Sequence, residues 1–208
     1  MCELTPAPDN APMGSDLDHE YRIALRSTRP EDLKPLLEAG IRQKTISIVR
    51  PAIARIAVTG GTYQPEPEGR YAYLLPVRLE SADTAEAANP VEVLHRGSIV
   101  DLVAFHPKFP LRWALRRDAA EWLGAIEPQY LDPAPVPIWR SPLEWLRAGC
   151  RGLALLSLEP TIAYRILSMC SSGLLAEDEV HAVELRRLAA PPWPAPLVRV
   201  RRDGRNVA

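Results

Sequence analysis

The sequence has few cysteines and no long apolar run. Its three cysteines, Cys2, Cys150 and Cys170, have no close spacing. They form neither a disulfide framework nor a CxxC pair, so a reducing compartment is the natural interpretation. The longest apolar run, from Leu153 to Leu158, has the length of a strand, whereas a membrane span needs roughly 18 residues. The first residues lack the charged and apolar segments of a secretory signal. We therefore expect a soluble, cytoplasmic protein with no membrane partner.

Glycine is sparse too, and the chain has no motif for phosphate binding or nucleophilic catalysis. It contains neither GxxxxGK[ST] nor GxGxxG, and Gly60-Gly61 is expected to form a tight turn. A GxSxG elbow is also absent. No motif identifies a family, and we predict no cofactor. The protein is more consistent with a non-enzymatic role, and an enzyme would need an active site assembled only in three dimensions.

Proline and arginine are the residues in excess. There are 22 prolines against 11 glycines, which excludes a bundle of long helices and predicts short elements joined by stiff, proline-rich loops. Arginine outnumbers lysine by 22 to 3, a bias that is more typical of a GC-rich bacterial genome than of a binding role. With 25 basic and 26 acidic side chains, the formal net charge is -1. The chain as a whole is therefore not a basic domain.

We predict three segments along the chain. Residues 1–18 carry acids and prolines but no basic residue, which predicts a disordered acidic tail. Residues 19–201 are expected to form a single α+β domain, or two packed halves, with a β-rich part over 41–106 and a helical part over 107–190. Residues 202–208 form a basic C-terminal tail.

The predicted fold is α+β, with a mixed or antiparallel sheet from the first half packed with short helices from the second half. The strands are predicted from the runs TISIV, IARIAV and RYAYLLPVRLE, which begin at residues 45, 53 and 70. The segment FPLRWALRRDAAEWLG, which begins at residue 109, predicts one or two helices. Ser141, Pro142 and Glu144 have the spacing of a helix start with a capping box.

Metal binding has one weak candidate set, namely His95, Asp101 and His106. Imidazole and carboxylate groups are plausible zinc or manganese ligands. However, a two-residue turn at Gly97 and Ser98 points His95 and Asp101 to opposite sides of a hairpin. A hydrogen-bonded strand aspartate and two partly exposed histidines are the favoured alternative, so no metal site is predicted.

Binding to another macromolecule, most simply another protein, is the leading hypothesis. Tryptophan and arginine dominate protein interface hot spots, and the segment 109–151 is rich in both. The candidate interaction residues are Trp113, Arg116, Arg117, Trp139 and Trp145. An exposed patch centred on the tryptophans would support this hypothesis, and their burial would remove its motivation.

Nucleic-acid association is the alternative hypothesis. Arg42, Lys44, Arg50 and Arg55 lie in a stretch without acids and alternate with isoleucines. If the stretch is β-structure, several of these side chains share a face that can follow a phosphate backbone. These four residues are the predicted contacts. The oligomeric state is not specified by the sequence.

Overall fold

The computed structural model describes residues 14–78, 98–124, 135–170 and 172–191. Within these ranges the protein is α+β, as predicted. It contains two sheets rather than one, a closed five-stranded barrel and a four-stranded sheet. No helix of the described ranges is long and apolar enough to cross a membrane.

The barrel is built from the first five strands. They are β1 (Ala52–Thr59), β2 (Thr62–Pro65), β3 (Arg70–Arg78), β4 (Ile99–Phe105) and β5 (Trp113–Leu115). They close in the order β1-β2-β5-β4-β3, and only the β2–β5 pair is parallel. Gly60 and Gly61 form the β1–β2 turn with φ values of 59° and 87°, a conformation that glycine adopts at no steric cost.

The helical elements before the barrel are α1 (Gly14–Ser27), a 3-10 turn (Pro30–Leu33), α2 (Lys34–Glu38) and α3 (Gln43–Val49). The prediction of a strand at TISIV was wrong, because that run lies in α3. Its buried residues are Thr45, Ile46 and Val49, and this spacing places them on one face of a helix. The β-branched composition that predicted a strand is thus overridden by packing.

Helix α1 also overlaps the predicted tail. Residues 14–18 are helical, and Leu17 is only 1% exposed. The acids of this helix start therefore belong to the folded domain, and residues 1–13 lie outside the described ranges. The predicted basic tail, residues 202–208, lies outside them as well.

The second sheet comes from the half that was predicted to be helical. Its strands are β6 (Trp122–Leu123), β7 (Val136–Trp139), β8 (Leu153–Leu155) and β9 (Leu174–Leu175), in the order β6-β8-β7-β9. Strand β7 is parallel to β8 and β9, whereas β6 is antiparallel to β8. The helix prediction for residues 109–124 was wrong, since β5 and β6 lie there.

The helices of this half are α4 (Pro142–Arg147), α5 (Pro160–Ser168) and α6 (Glu179–Leu188). Helix α4 begins as predicted, with the Ser141 hydroxyl accepting the Glu144 N–H at 3.3 Å. Both faces of the sheet are covered. In β8, Leu153 and Leu155 belong to a core with α5 and α6, and Ala154 belongs to a core with α4 and the barrel. A third core joins α1 to all five barrel strands.

Candidate functional site

Asp101 lies in β4 with no exposed surface, and its carboxylate organises the loop between β5 and β6. Oδ1 accepts the N–H groups of Leu102, Arg116 and Arg117 at 2.8, 2.9 and 3.0 Å. Oδ2 accepts those of Ala119 and Ala120 at 2.7 and 3.1 Å. A carboxylate that binds five amide groups holds this loop in a single conformation, so Asp101 has a structural role.

The other members of the weak metal set do not join Asp101. His95 lies outside the described ranges, and His106 follows β4, where its Nδ1 accepts the Lys108 N–H at 3.1 Å. Where the chain is described, no group of three or more His, Cys, Asp or Glu side chains is arranged to hold a metal ion.

The three tryptophans of the predicted protein-binding set are part of the packing. Trp145 is only 2% exposed, and its indole N–H donates to the Gly152 carbonyl at 3.1 Å. The Trp113 and Trp139 indoles are half-buried and donate to the Leu156 and Arg151 carbonyls at 3.3 and 2.6 Å. The segment 109–151 therefore does not present these three rings as one exposed patch.

The two arginines of that set connect the β5–β6 loop to helix α1. Arg116 Nε donates to Glu20 Oε2 at 2.9 Å, and Arg117 Nη2 contacts Asp16 Oδ2 at 3.5 Å. Both side chains are mostly covered. These ion pairs join elements about a hundred positions apart in the chain, which is a structural role.

The predicted nucleic-acid set remains on the surface. Arg42, Lys44, Arg50 and Arg55 are all exposed. None of them forms an ion pair with an acid in the described ranges. Arg42 precedes α3, Lys44 lies in it, and Arg50 ends it with φ 52°. Arg55 lies on β1, so the four do not share one strand face as the sequence suggested.

Helix α3 and Arg55 nevertheless lie on the same side of the barrel. The buried residues of α3 pack in one core with Tyr73 of β3 and Phe105 of β4, and Ile53 of β1 packs against that core. Arg55 follows Ile53 by two positions and is therefore on the same face of β1. Its cross-strand partner is Tyr71.

The guanidinium group of Arg55 lies over an exposed aromatic ring. Its guanidinium carbon is 4.2 Å from the centroid of the Tyr71 ring, and Nη2 donates to the tyrosine hydroxyl at 3.1 Å. Nη1 donates to the Gly69 carbonyl at 3.1 Å. Tyr71 is 58% exposed, so the pair is a cation–π contact open to solvent.

A row of rings continues from this pair along the same face. The Tyr73 and His106 centroids are 6.5 Å apart, and those of His106 and Phe109 are 5.9 Å apart. The Arg112 guanidinium lies 5.9 Å from the Phe109 ring, which is 55% exposed. We call Arg55, Tyr71, Tyr73, His106, Phe109 and Arg112 the aromatic–basic row.

The centre of the row is held rigidly. The Tyr73 hydroxyl donates to the Asp32 carbonyl at 2.7 Å. Burial, followed by the nearby acids Asp32 and Glu38, raises the pKa of Tyr73 to about 12. Burial and the neighbouring Lys108 lower the pKa of His106. Both central rings are therefore neutral at pH 7, and the charge of the row is confined to its arginines.

Sequence analysis missed the aromatic members of this row. Tyr71 and Tyr73 were assigned only to a strand, and Phe109 to a helix. The one available signal was the alternation of Tyr71 and Tyr73, which places both on one strand face. Their pairing with Arg55 depends on a register that the sequence does not specify.

A second cluster of charged side chains lies at the carboxyl ends of β7 and β9. Arg140 contacts both oxygens of Asp178 at 2.6 and 2.9 Å. It also contacts Glu177 and Glu184, each at 3.4 Å. The buried His181 ring accepts the Glu177 N–H at 3.2 Å. The hydrogen bonds to Asp178 raise the pKa of Arg140, and those from Arg140 lower the pKa of Asp178.

In many α/β proteins, ligands bind at the edge of the sheet that this cluster occupies. Helix α4 covers one face of the sheet, whereas α5 and α6 cover the other, so the winding direction changes between β7 and β9. Ligands of open parallel sheets bind outside the strand ends at such a point. Here the charged groups are paired with one another, which makes the cluster a connection between two loops.

Comparisons with known proteins do not identify a family for this chain. No protein-family model, no curated protein and no solved structure matches the chain.

Proposed function

We propose that this protein is a cytoplasmic accessory protein that binds nucleic acid through the side of the barrel that carries α3 and Arg55. The observation that supports the proposal is that the basic side chains on this surface are exposed and have no described acid as a partner. Arg42, Lys44, Arg50 and Arg55 are exposed and have no ion-pair partner among the acids of the described ranges. Arg42, Lys44 and Arg50 can therefore neutralise phosphates without first breaking an ion pair or a hydrogen bond to another described side chain.

The alternative hypothesis, that the partner is a protein, has less support from the burial and ion pairs of its five predicted residues. The rings of Trp113, Trp139 and Trp145 are at least half-buried, and Arg116 and Arg117 are used in ion pairs with α1. A hot spot needs side chains that a partner can cover. The five residues thus offer a partner little surface that the fold has not already used.

The magnitude of the charge predicts modest affinity. The net charge of the whole chain is -1, so long-range attraction of a polyanion is weak and local contacts must provide the affinity. For single strands the logarithm of the binding constant falls with the logarithm of salt by about 0.7 per neutralised phosphate. Three contacts from α3 therefore predict a slope of about -2.

The test is a fluorescence anisotropy titration of labelled DNA and RNA oligonucleotides at several salt concentrations. We expect binding at low salt that weakens as salt is added. The combined substitution Arg42→Gln, Lys44→Gln and Arg50→Asn should weaken binding and flatten the salt dependence. Asparagine is chosen at Arg50 because it tolerates the left-handed backbone there.

The matched control is Arg186→Gln with Arg187→Gln. These two arginines are exposed on α6, on the far face of the second sheet, and have no ion pair with a described acid. They should leave binding unchanged. Absence of binding at the lowest salt, or an equal loss in the control, would contradict the proposal.

A further inference from the structure

We infer that the nucleic acid bound by this protein is single-stranded, and that two of its bases stack on Tyr71 and Phe109 of the aromatic–basic row. The inference rests on the proposed function and adds the strandedness and the mode of contact. It follows from the exposure of these two rings, their rigid support, their spacing and the mixed charge around them.

The first step is the chemistry of the two exposed rings. Unpaired bases stack on aromatic faces and on guanidinium planes. The Arg55–Tyr71 pair offers an aromatic ring and a guanidinium group, because the Arg55 guanidinium carbon lies 4.2 Å from the Tyr71 ring centroid and the ring is exposed to solvent. Phe109 offers a second exposed face beside Arg112. A cation next to each ring can contact the phosphate that follows the stacked base.

The second step is the rigidity of Phe109, which lies in the loop between β4 and β5. Its N–H donates to the His106 carbonyl, and its carbonyl accepts the Arg112 N–H, both at 2.9 Å. The Lys108 N–H donates to His106 Nδ1 at 3.1 Å, which holds the imidazole beside the phenyl ring. These contacts hold the backbone of Phe109 and the neighbouring imidazole in place, so binding loses little backbone entropy in this loop.

The third step is the distance between the two exposed rings. Tyr71 and Tyr73 are two residues apart on a strand, or about 6.6 Å. The ring separations from Tyr73 to His106 and from His106 to Phe109 are 6.5 and 5.9 Å. The path is thus at most about 20 Å long. Nucleotides at 3.4 Å or more apart then give roughly three to six between the two rings.

The fourth step excludes duplex as the preferred ligand. In a duplex the base faces are stacked on one another, so neither Tyr71 nor Phe109 can reach them. Duplex binding would then depend on phosphate contacts alone. Acids lie close to the row as well, with Glu66 and Glu68 in the turn before β3 and with Asp32 and Glu38 near Tyr73. This mixed charge disfavours binding of a duplex, which has the higher density of phosphate charge. Stacking of unpaired bases requires no net positive charge.

The experiment compares a single-stranded oligonucleotide with a hairpin duplex of the same composition, using the full chain. We expect tighter binding of the single strand. Tyr71→Leu and Phe109→Leu keep an apolar side chain but remove the ring, and each should weaken single-strand binding by roughly 5- to 150-fold, the range of base-stacking effects. Phe109→Trp retains a stacking face and should retain binding.

The controls separate stacking from folding and from charge. Val183→Ala truncates a residue on α6 that is 62% exposed, and it should not change binding. The leucine variants should keep the circular dichroism spectrum and the salt slope of the unmodified protein, because they remove no cation.

Two results would overturn the inference and leave the proposed function standing. They are equal or tighter binding of the duplex, and unchanged single-strand affinity in both leucine variants. Absence of any nucleic-acid binding at the lowest salt would overturn both. Binding of a proline-rich peptide at Tyr71 and Phe109, with no oligonucleotide bound, would also overturn both, because aromatic grooves bind such peptides too.

Discussion

Replacing Asp101 by asparagine tests the structural role of its carboxylate. The substitution preserves shape and volume but turns one acceptor oxygen into a donor NH2 group. In its less costly orientation, the new NH2 group replaces Oδ2, which accepts only two amide groups, and Oδ1 keeps its three. The N–H groups of Ala119 and Ala120 then face a donor.

The magnitude follows from those two groups. Leaving a donor unsatisfied in a buried or partly buried position costs about 1–3 kcal/mol. Asp101→Asn should therefore lower the free energy of unfolding by about 2–6 kcal/mol. For a domain of this size each kcal/mol lowers Tm by about 2–4 °C. A loss of about 4 kcal/mol then lowers Tm by roughly 8–16 °C.

The assay is urea unfolding of Asp101→Asn beside Asp118→Asn, its matched control in the same loop. Asp118 is exposed and has φ 56°, a conformation that asparagine also tolerates. The control should change the free energy of unfolding by no more than about 0.5 kcal/mol. A loss below about 1 kcal/mol in Asp101→Asn would refute the assignment of this carboxylate as the organiser of the loop.

Two further predictions concern the second sheet. Gly152→Ala should destabilise the protein by more than about 3 kcal/mol, because its new Cβ would lie 2.1 Å from the Pro137 carbonyl oxygen at a φ of 76°. Gly61→Ala, at a φ of 87° with no atom of the described residues within 4 Å of the new Cβ, should cost only about 1–2 kcal/mol. Equal urea midpoints for the two variants would contradict this reasoning. Burial, followed by Arg140, lowers the pKa of His181 from 6.5, so the unfolded chain binds this proton first as the pH falls. Stability should decrease below about pH 6.5 by up to about 1.4 kcal/mol per pH unit. His181→Asn should flatten that decrease, and identical pH profiles of the two proteins would show that another group causes it.

The parts of the fold that the sequence predicted correctly depend on local chemistry. The hydroxyl of Ser141 caps α4, and Gly60-Gly61 turns β1 into β2, because each conformation is determined by the residues at that position. The strand predicted at RYAYLLPVRLE is β3. Pro76 is accommodated there because β1 begins opposite Leu74, so the β1-facing side of Pro76 has no strand partner among the described residues.

The wrong predictions concern segments that distant residues control. TISIV has the composition of a strand, but the core under α3 accepts only one helical face of it. The segment from Trp113 to Leu123 has helical periodicity, but its backbone N–H groups bind the carboxylate of Asp101 instead. The proposed binding surface was predicted only in part. Arg55 was identified from charge alone, whereas Tyr71 and Phe109 join it only through strand register and the β4–β5 loop.

The contacts between the two ends of the domain also affect its synthesis. The ion pair of Glu20 cannot form until Arg116, 96 positions later in the chain, has been synthesised. The hydrogen bond to the Ala39 carbonyl likewise requires Arg147, which is 108 positions later. At about 5–20 residues per second, a ribosome needs on the order of 5 to 20 s to supply these partners. Helix α1, with 14 residues, is marginal in isolation. Its contacts with β1 can form early, but its ion pair with Arg116 is missing during that time. The yield of folded protein in the cell should therefore depend on protecting the nascent N-terminal half from aggregation. Refolding of the complete chain from denaturant lacks this delay, because all contacting residues are already present.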